Sequence, residues 1–234
     1  MPEEKWDKVK LHPERRVVFE KISDARAFNR KYFPDLEKKP ATPAKRFFEK
    51  TIFHLSKNHG ITLDEARKLV DAREYMYEIH RGQERLNREM YAKHTDRTAM
   101  IAALRLKANF NEVLISYLHD GIEQGKIRMY GKEFPVTYHM VGVKFGEEIA
   151  QQVAALSESK HDGKRLIRPE HTDYHEILEP EKTPELVEKK EADYVARLID
   201  GGASVMVAKA ADIEDNRDKI EHHSEKKRLR LLTT

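Results

Sequence analysis

The chain has 234 residues, 36% of them charged and 39% hydrophobic, a size and balance that suit one domain with extensions or two small ones. It contains no cysteine, which excludes disulfides, zinc–thiolate sites and cysteine nucleophiles, so any metal must be held by nitrogen and oxygen ligands. With 44 basic against 41 acidic residues the formal charge is only +3, too balanced to imply a polyanionic partner, and no apolar stretch approaches a bilayer span.

The start, Met1 to Lys10, is charged and lacks the apolar centre of a signal peptide, so a cytoplasmic protein with no membrane association is expected. Phe19, Phe28, Phe33, Phe47 and Phe48 then suggest that the first 60 residues pack as a helical extension, with buttressing or homo-oligomerisation as its role. Thr42-Pro43 places a capping residue before a proline suited to the first helical turn, and Phe47, Phe48, Ile52, Phe53 and Leu55 follow up to Gly60. Thr62-Leu-Asp-Glu65 fits a capping box, and Ala66, Leu69, Val70, Ala72 and Met76 continue at helical spacing towards Gly82.

Further helices are predicted at about 95–107, 111–122 with Asn111 as its cap, and 144–157. Residues 126–136 read as a short hairpin turning near Gly131, and 157–184 as a long polar loop. Thr183-Pro184 opens another helix that stops at Gly201-Gly202, and from Ser204 a long helix carries Asp212 and Asn216. The expected fold is all-α with a β-hairpin insertion, and no internal repeat is visible.

The adjacent pair His119-Asp120 ends the apolar run Val-Leu-Ile-Ser-Tyr-Leu. Such a pair also arises as a helix-end histidine beside a solvated carboxylate. Its weight comes from company: His94 upstream, Glu123 three residues on, and Asp212 among Val205, Met206, Val207, Ala208, Ala210 and Ala211, where a carboxylate needs a partner. Two imidazoles and two carboxylates suit manganese, iron, zinc or another divalent ion, with positions left for water or a substrate oxygen. Glu123, one helical turn from Asp120, is placed to orient or deprotonate an attacking water, which points to hydrolysis of a phosphoester or phosphoanhydride.

The segments His80-Arg-Gly-Gln-Glu-Arg85, Tyr91-Ala-Lys-His94, Leu118-His-Asp-Gly-Ile-Glu123, Phe145-Gly-Glu-Glu-Ile-Ala150 and Lys209-Ala-Ala-Asp-Ile-Glu-Asp-Asn216 resemble, in this order, those of HD-domain metal-dependent phosphohydrolases. More narrowly they are similar to the RelA/SpoT-type guanosine polyphosphate pyrophosphohydrolases, over roughly Tyr75 to Lys219. The resemblance implies an HD-type helical bundle over 61–234 behind the extension at 1–60. It also implies a divalent metal, manganese in the family, on His94, His119, Asp120 and Asp212. Glu123 would belong to the acidic pair that activates water, Arg85 would face the nucleotide with Asn216 helping to hold it, and Lys209 and Tyr194 match positions near the substrate pocket. The implied activity is removal of pyrophosphate from ppGpp or a related alarmone.

This chain departs from the family in three places. The acidic pair reads Glu123-Gln124, so Gln124 takes a catalytic position without the charge; Leu86 follows Arg85 where a basic residue is common; and the stretch from Asp120 to Phe145 is long, making the hairpin an insertion beside the site. Two alternatives stay open: hydrolysis of another nucleotide, a dNTP or nucleoside monophosphate, and a weakened domain that binds a nucleotide to regulate a partner. His80 and Arg81 are read either as phosphate contacts or as a helix end, and His161, His171 and His175 as surface histidines of the loop. The run Lys226-Lys-Arg-Leu-Arg230 lacks interleaved aromatics, so a small-molecule nucleotide rather than a nucleic acid is the expected partner.

Overall fold

A computed structural model describes residues 14–38, 43–85, 87–162, 165–179 and 181–217. The chain enters through Val17, which exchanges backbone hydrogen bonds of 2.8 and 2.9 Å with Ile61, while Ser56 Oγ donates to the Val17 carbonyl. Helix α1 (Ile22–Tyr32) and the short α2 (Pro34–Lys38) follow, and the Phe28 ring packs at a tilt against Phe19 and Tyr32 and edge-on against Phe33. The long α3 (Pro43–His59) and α4 (Leu63–Ile79) come next. Thr42, the expected cap of α3, lies outside the described residues, as does the basic run 226–230.

Thr62 caps α4 as its sequence predicts: its hydroxyl accepts from the Glu65 amide at 3.1 Å, and Glu65 Oε2 accepts from the Thr62 amide at 2.9 Å. Removing that hydroxyl in Thr62→Ala is expected to cost about 1 kcal/mol, read as a lower denaturation midpoint with unchanged slope.

Helix α5 (Tyr91–Leu104) is the centre of the bundle, packed on α3, α4, α6 (Phe110–Leu118) and the last described helix, α11 (Gly202–Arg217). It starts four residues before the predicted position, so His94 lies inside its first turn rather than ahead of it. The start is set by the Glu84–Met90 bridge rather than by a side-chain cap. Helix α6 also starts early, because Asn109 and not Asn111 caps it. Asn109 Oδ1 accepts from the Glu112 amide at 3.1 Å, and Glu112 returns the bond to the Asn109 amide at 2.7 Å. It ends at Leu118 instead of running to 122, and after the His119-Asp120 turn the chain forms the one-turn α7 (Gly121–Gln124). Gly125 leaves that turn where a Cβ would collide with the Gly121 carbonyl and sit 2.8 Å from Ile79 Cδ1.

The hairpin forms as expected, antiparallel between β1 (Lys126–Met129) and β2 (Lys132–Pro135), with Gly131 at φ 77° in its turn. The helix expected at 144–157 forms as α9 (Glu147–Leu156), starting later than expected because a separate helix, α8 (Tyr138–Phe145), precedes it and the two are broken at Gly146, whose φ is 100°. The polar segment that follows is more structured than a plain loop. It contains the antiparallel pair β3 (Lys160–His161) and β4 (Leu166–Ile167) and a 3-10 turn at Tyr174–Glu176. Helix α10 (Pro184–Asp200) then opens with Thr183 Oγ1 accepting from the Leu186 amide, and packs on α9 and α11.

The fold is thus all-α with a short hairpin, and one hydrophobic core joins Phe19, Phe28 and Ile52 to Leu69, Leu114, Val153 and Ala208. Burying these side chains is worth roughly 25 cal/mol per Å² of apolar surface and is the main favourable term. Beneath it lies a buried ion pair, Arg73 Nε to Asp96 Oδ1 at 2.9 Å, which Tyr77 Oη completes by donating to Asp96 at 2.6 Å. No helix among the described residues is long and apolar enough to cross a membrane.

Candidate metal centre

Four side chains meet where α5, α6 and α11 pack together. His94 comes from the first turn of α5, His119 from the residue that ends α6, Asp120 from the residue before α7, and Asp212 from α11. The two histidines are 1% and 4% exposed, so their ring nitrogens must find partners within the protein or an ion.

The ring protons can be assigned from those partners. His119 Nδ1 lies 2.8 Å from the Ser116 carbonyl and His94 Nδ1 lies 2.7 Å from Asp215 Oδ2. Both partners only accept, so each Nδ1 carries a hydrogen and, in the neutral rings, each Nε2 presents a lone pair. The two Nε2 atoms face one another at 3.1 Å. Asp120 Oδ2 lies 3.1 Å from His119 Nε2 and 3.6 Å from His94 Nε2; Asp212 Oδ1 lies 3.3 Å from His94 Nε2 and 3.7 Å from His119 Nε2.

Four electron-rich atoms converge here; Tyr91 and Asn216 donate to the two carboxylate oxygens from outside, and a cation or a proton between the four would offset the negative charge gathered there. Nitrogen and oxygen ligands bound to one divalent ion at about 2.1 Å stand about 3.0–3.5 Å from each other, close to the separations here. The ligand atoms of His94, His119 and Asp120 all lie within 4.8 Å of one another, and this buried group can hold a metal ion. Among the described residues it is the one such group of three or more.

A proton is the competitor for the same space. Burial lowers the His119 pKa, but Asp120 and then Asp212 outweigh it and push the ring up to about 9. Burial likewise raises both carboxylates, and neighbouring positive charge reverses the sign: His119 holds Asp120 well below the usual range, and Lys209 does the same for Asp212.

Each carboxylate is further oriented. Tyr91 Oη donates to Asp120 Oδ2 at 2.6 Å, Lys209 Nζ donates to Asp212 Oδ2 at 3.0 Å, and Asn216 Nδ2 donates to Asp212 Oδ1 at 2.7 Å. Arg85 Nη2 donates to Asn216 Oδ1 at 2.5 Å, while Arg85 Nη1 is buried without a hydrogen-bond partner, 3.9 Å from Asp215 Oδ2. The Arg85 guanidinium and the His80 ring both lie against Tyr91, at 5.7 and 4.5 Å from its centroid.

Glu123 stands one turn beyond Asp120, half-buried, with Oε2 accepting from the Glu158 amide at 3.1 Å. Burial and then the Asp120 charge push its carboxyl up to about 7, between the protonated and ionised forms at neutral pH. The remaining predicted residues fall outside this cluster or beside it. Gln124 is exposed and meets a neighbour through its backbone carbonyl, which accepts from Gln83 Nε2 at 3.0 Å. Tyr194 commits its hydroxyl to the Leu156 carbonyl, with Lys209 Nζ 5.5 Å from its ring centroid. His175 Nε2 pairs with the Val136 carbonyl, His161 is buried in β3, and His171 is exposed.

Sequence reasoning overlooked Asp215, Arg97 and the role of Tyr91. Asp215 falls three residues after Asp212, on the same face of α11 as Asn216, so a polar i, i+3, i+4 pattern among alanines was the available signal. No protein family and no curated protein matches this chain.

Proposed function

We propose that the chain is a divalent-metal-dependent phosphohydrolase of the HD type that removes pyrophosphate from ppGpp or a related nucleotide. The observation that carries the reading is the convergence of the His94 and His119 Nε2 lone pairs with carboxylate oxygens of Asp120 and Asp212. A metal of the manganese, iron or zinc class, held there, supplies a Lewis acid for a phosphate oxygen and lowers the pKa of water.

The chain's own residues fit the rest of that chemistry. Glu123, one turn beyond Asp120 and with its carboxyl raised to about 7 in the metal-free protein, is the candidate to take a proton from the attacking water. Lys209, held cationic by Asp212 and Tyr194 against the effect of burial, offsets negative charge beside the site. Arg85 Nη1, buried without a hydrogen-bond partner, is the candidate to donate to a phosphate oxygen once a substrate reaches it. Tyr91, its hydroxyl kept protonated by burial and Asp120, fixes the direction of that carboxylate. Gln124, exposed at the end of α7, leaves Glu123 to act without an adjacent acid.

With Mn2+ added, the protein is expected to release pyrophosphate from ppGpp and to leave GDP, in a panel that includes dNTPs and nucleoside monophosphates. Release of triphosphate from dNTPs or of phosphate from monophosphates, with ppGpp untouched, would redirect the substrate while keeping the metal chemistry. No turnover of any phosphate ester with any divalent ion would sink the hydrolase reading.

A further inference from the structure

We infer that Asp215 is a positioning residue for the metal: it acts through His94, fixing which ring nitrogen is offered to the ion and strengthening it as a donor. The inference rests on the metal-centre reading above and adds a residue that the sequence motifs do not assign. Asp215 is 1% exposed and lies on α11. Its Oδ2 accepts from His94 Nδ1 at 2.7 Å across a sequence separation of 121 residues.

A buried carboxylate is costly unless both oxygens are satisfied, and here they are. Arg97, one turn after His94 on α5, donates Nε to Oδ1 at 2.6 Å and Nη2 to Oδ2 at 3.1 Å. Arg97 is held in turn by Glu89 at 2.6 Å through Nη1. The fork leaves the carboxylate no rotational freedom, so the hydrogen bond to His94 has a set direction.

A rotationally fixed anion on Nδ1 does two things to the ring. It excludes the tautomer with hydrogen on Nε2, and it raises electron density at Nε2, which binds a cation more tightly. His119 receives the weaker form of the same treatment, from the neutral Ser116 carbonyl. The two imidazoles are therefore unequal, and His94 is the stronger ligand.

Asp215→Asn tests this, because it keeps the shape and removes the charge. Calorimetric titration with Mn2+ is expected to show binding weakened about 10- to 100-fold. Equal affinity in the variant and the wild type would overturn the role of Asp215 and leave the metal centre standing. A wild type that takes up no metal would overturn both. Should the variant not fold, nitrogen-15 spectra of histidine in the wild-type protein loaded with diamagnetic Zn2+ decide. His94 with hydrogen on Nδ1 and metal on Nε2 supports the proposal, and the opposite tautomer removes it.

Discussion

His119→Ala is expected to lose both bound metal and turnover. The side chain supplies the nitrogen closest to Asp120 Oδ2, at 3.1 Å, and its ring is turned towards the centre by the Ser116 carbonyl. Without it, His94 is left as the one imidazole facing two carboxylates, a set with weaker preference for a borderline transition ion. Metal-assisted activation is worth several kcal/mol of barrier, so its loss corresponds to a fall in kcat of roughly 10³-fold or more. Metal content by mass spectrometry, read beside ppGpp hydrolysis, checks the result. Full metal occupancy in the variant would count against His119 as a ligand. Circular dichroism separates loss of the site from loss of fold.

Glu123→Gln is expected to act in opposite directions on catalysis and on stability. As a base for the attacking water, Glu123 should contribute about 10²- to 10⁴-fold, so the variant keeps its metal and loses turnover by that factor. Stability follows from proton linkage. Burial and Asp120 raise the folded pKa to about 7 from the ordinary 4.5, so between those values the folded state binds more protons than the unfolded one. Stability of the wild type therefore falls as pH rises through this window, and the penalty is complete above the folded pKa.

A neutral glutamine escapes that penalty. In metal-free protein, Glu123→Gln should raise stability on the order of 2 kcal/mol at pH 8, after allowance for partial exposure, and by nothing at pH 4. Denaturant melts at the two pH values measure the difference. A variant less stable than wild type at pH 8 would mean that the carboxylate is satisfied and is not the strained group required of a base.

The helices that sequence reading placed well are those with explicit chemistry at their ends. Thr62 with Glu65 and Thr183 with Pro184 are local signals, and each produces the expected bond. Helix α1 has no such signal, since Lys21 precedes it. Its start is instead held by Asp24, whose carboxylate accepts the amides of Glu20 and Lys21 at 3.2 and 3.1 Å. The break at Gly146 was hidden because apolar residues keep helical spacing across it, while the conformation that ends α8 belongs to the glycine alone.

At the site, the residues legible in sequence were those of a type unusual for their surroundings: histidine beside aspartate, and Asp212 among small apolar residues. What stayed illegible was relation. Asp215 reads as one more acid in Asp-Ile-Glu-Asp until α11 is laid on α5 and its partner His94 comes into view. Gln124 had the reverse fate: prominent as a departure from a motif, it is solvent-facing in the fold.

The distance along the chain between the centre's parts has a consequence for how the protein would come to hold an ion. His119 and Asp120 are neighbours, and His94 is 25 residues from His119, but Asp212 and Asp215 reach the same point only after the hairpin, α8, α9 and α10 have been laid down. An ion held by His94, His119, Asp120 and Asp212 would act as a clasp across a long loop, whose closure entropy has already been met by helix packing. A chain with α11 undocked offers an incomplete grip and binds weakly. Affinity for an ion would thus be tied to completed assembly, and free ion at many times its dissociation constant would favour the fully docked bundle over every partly assembled one.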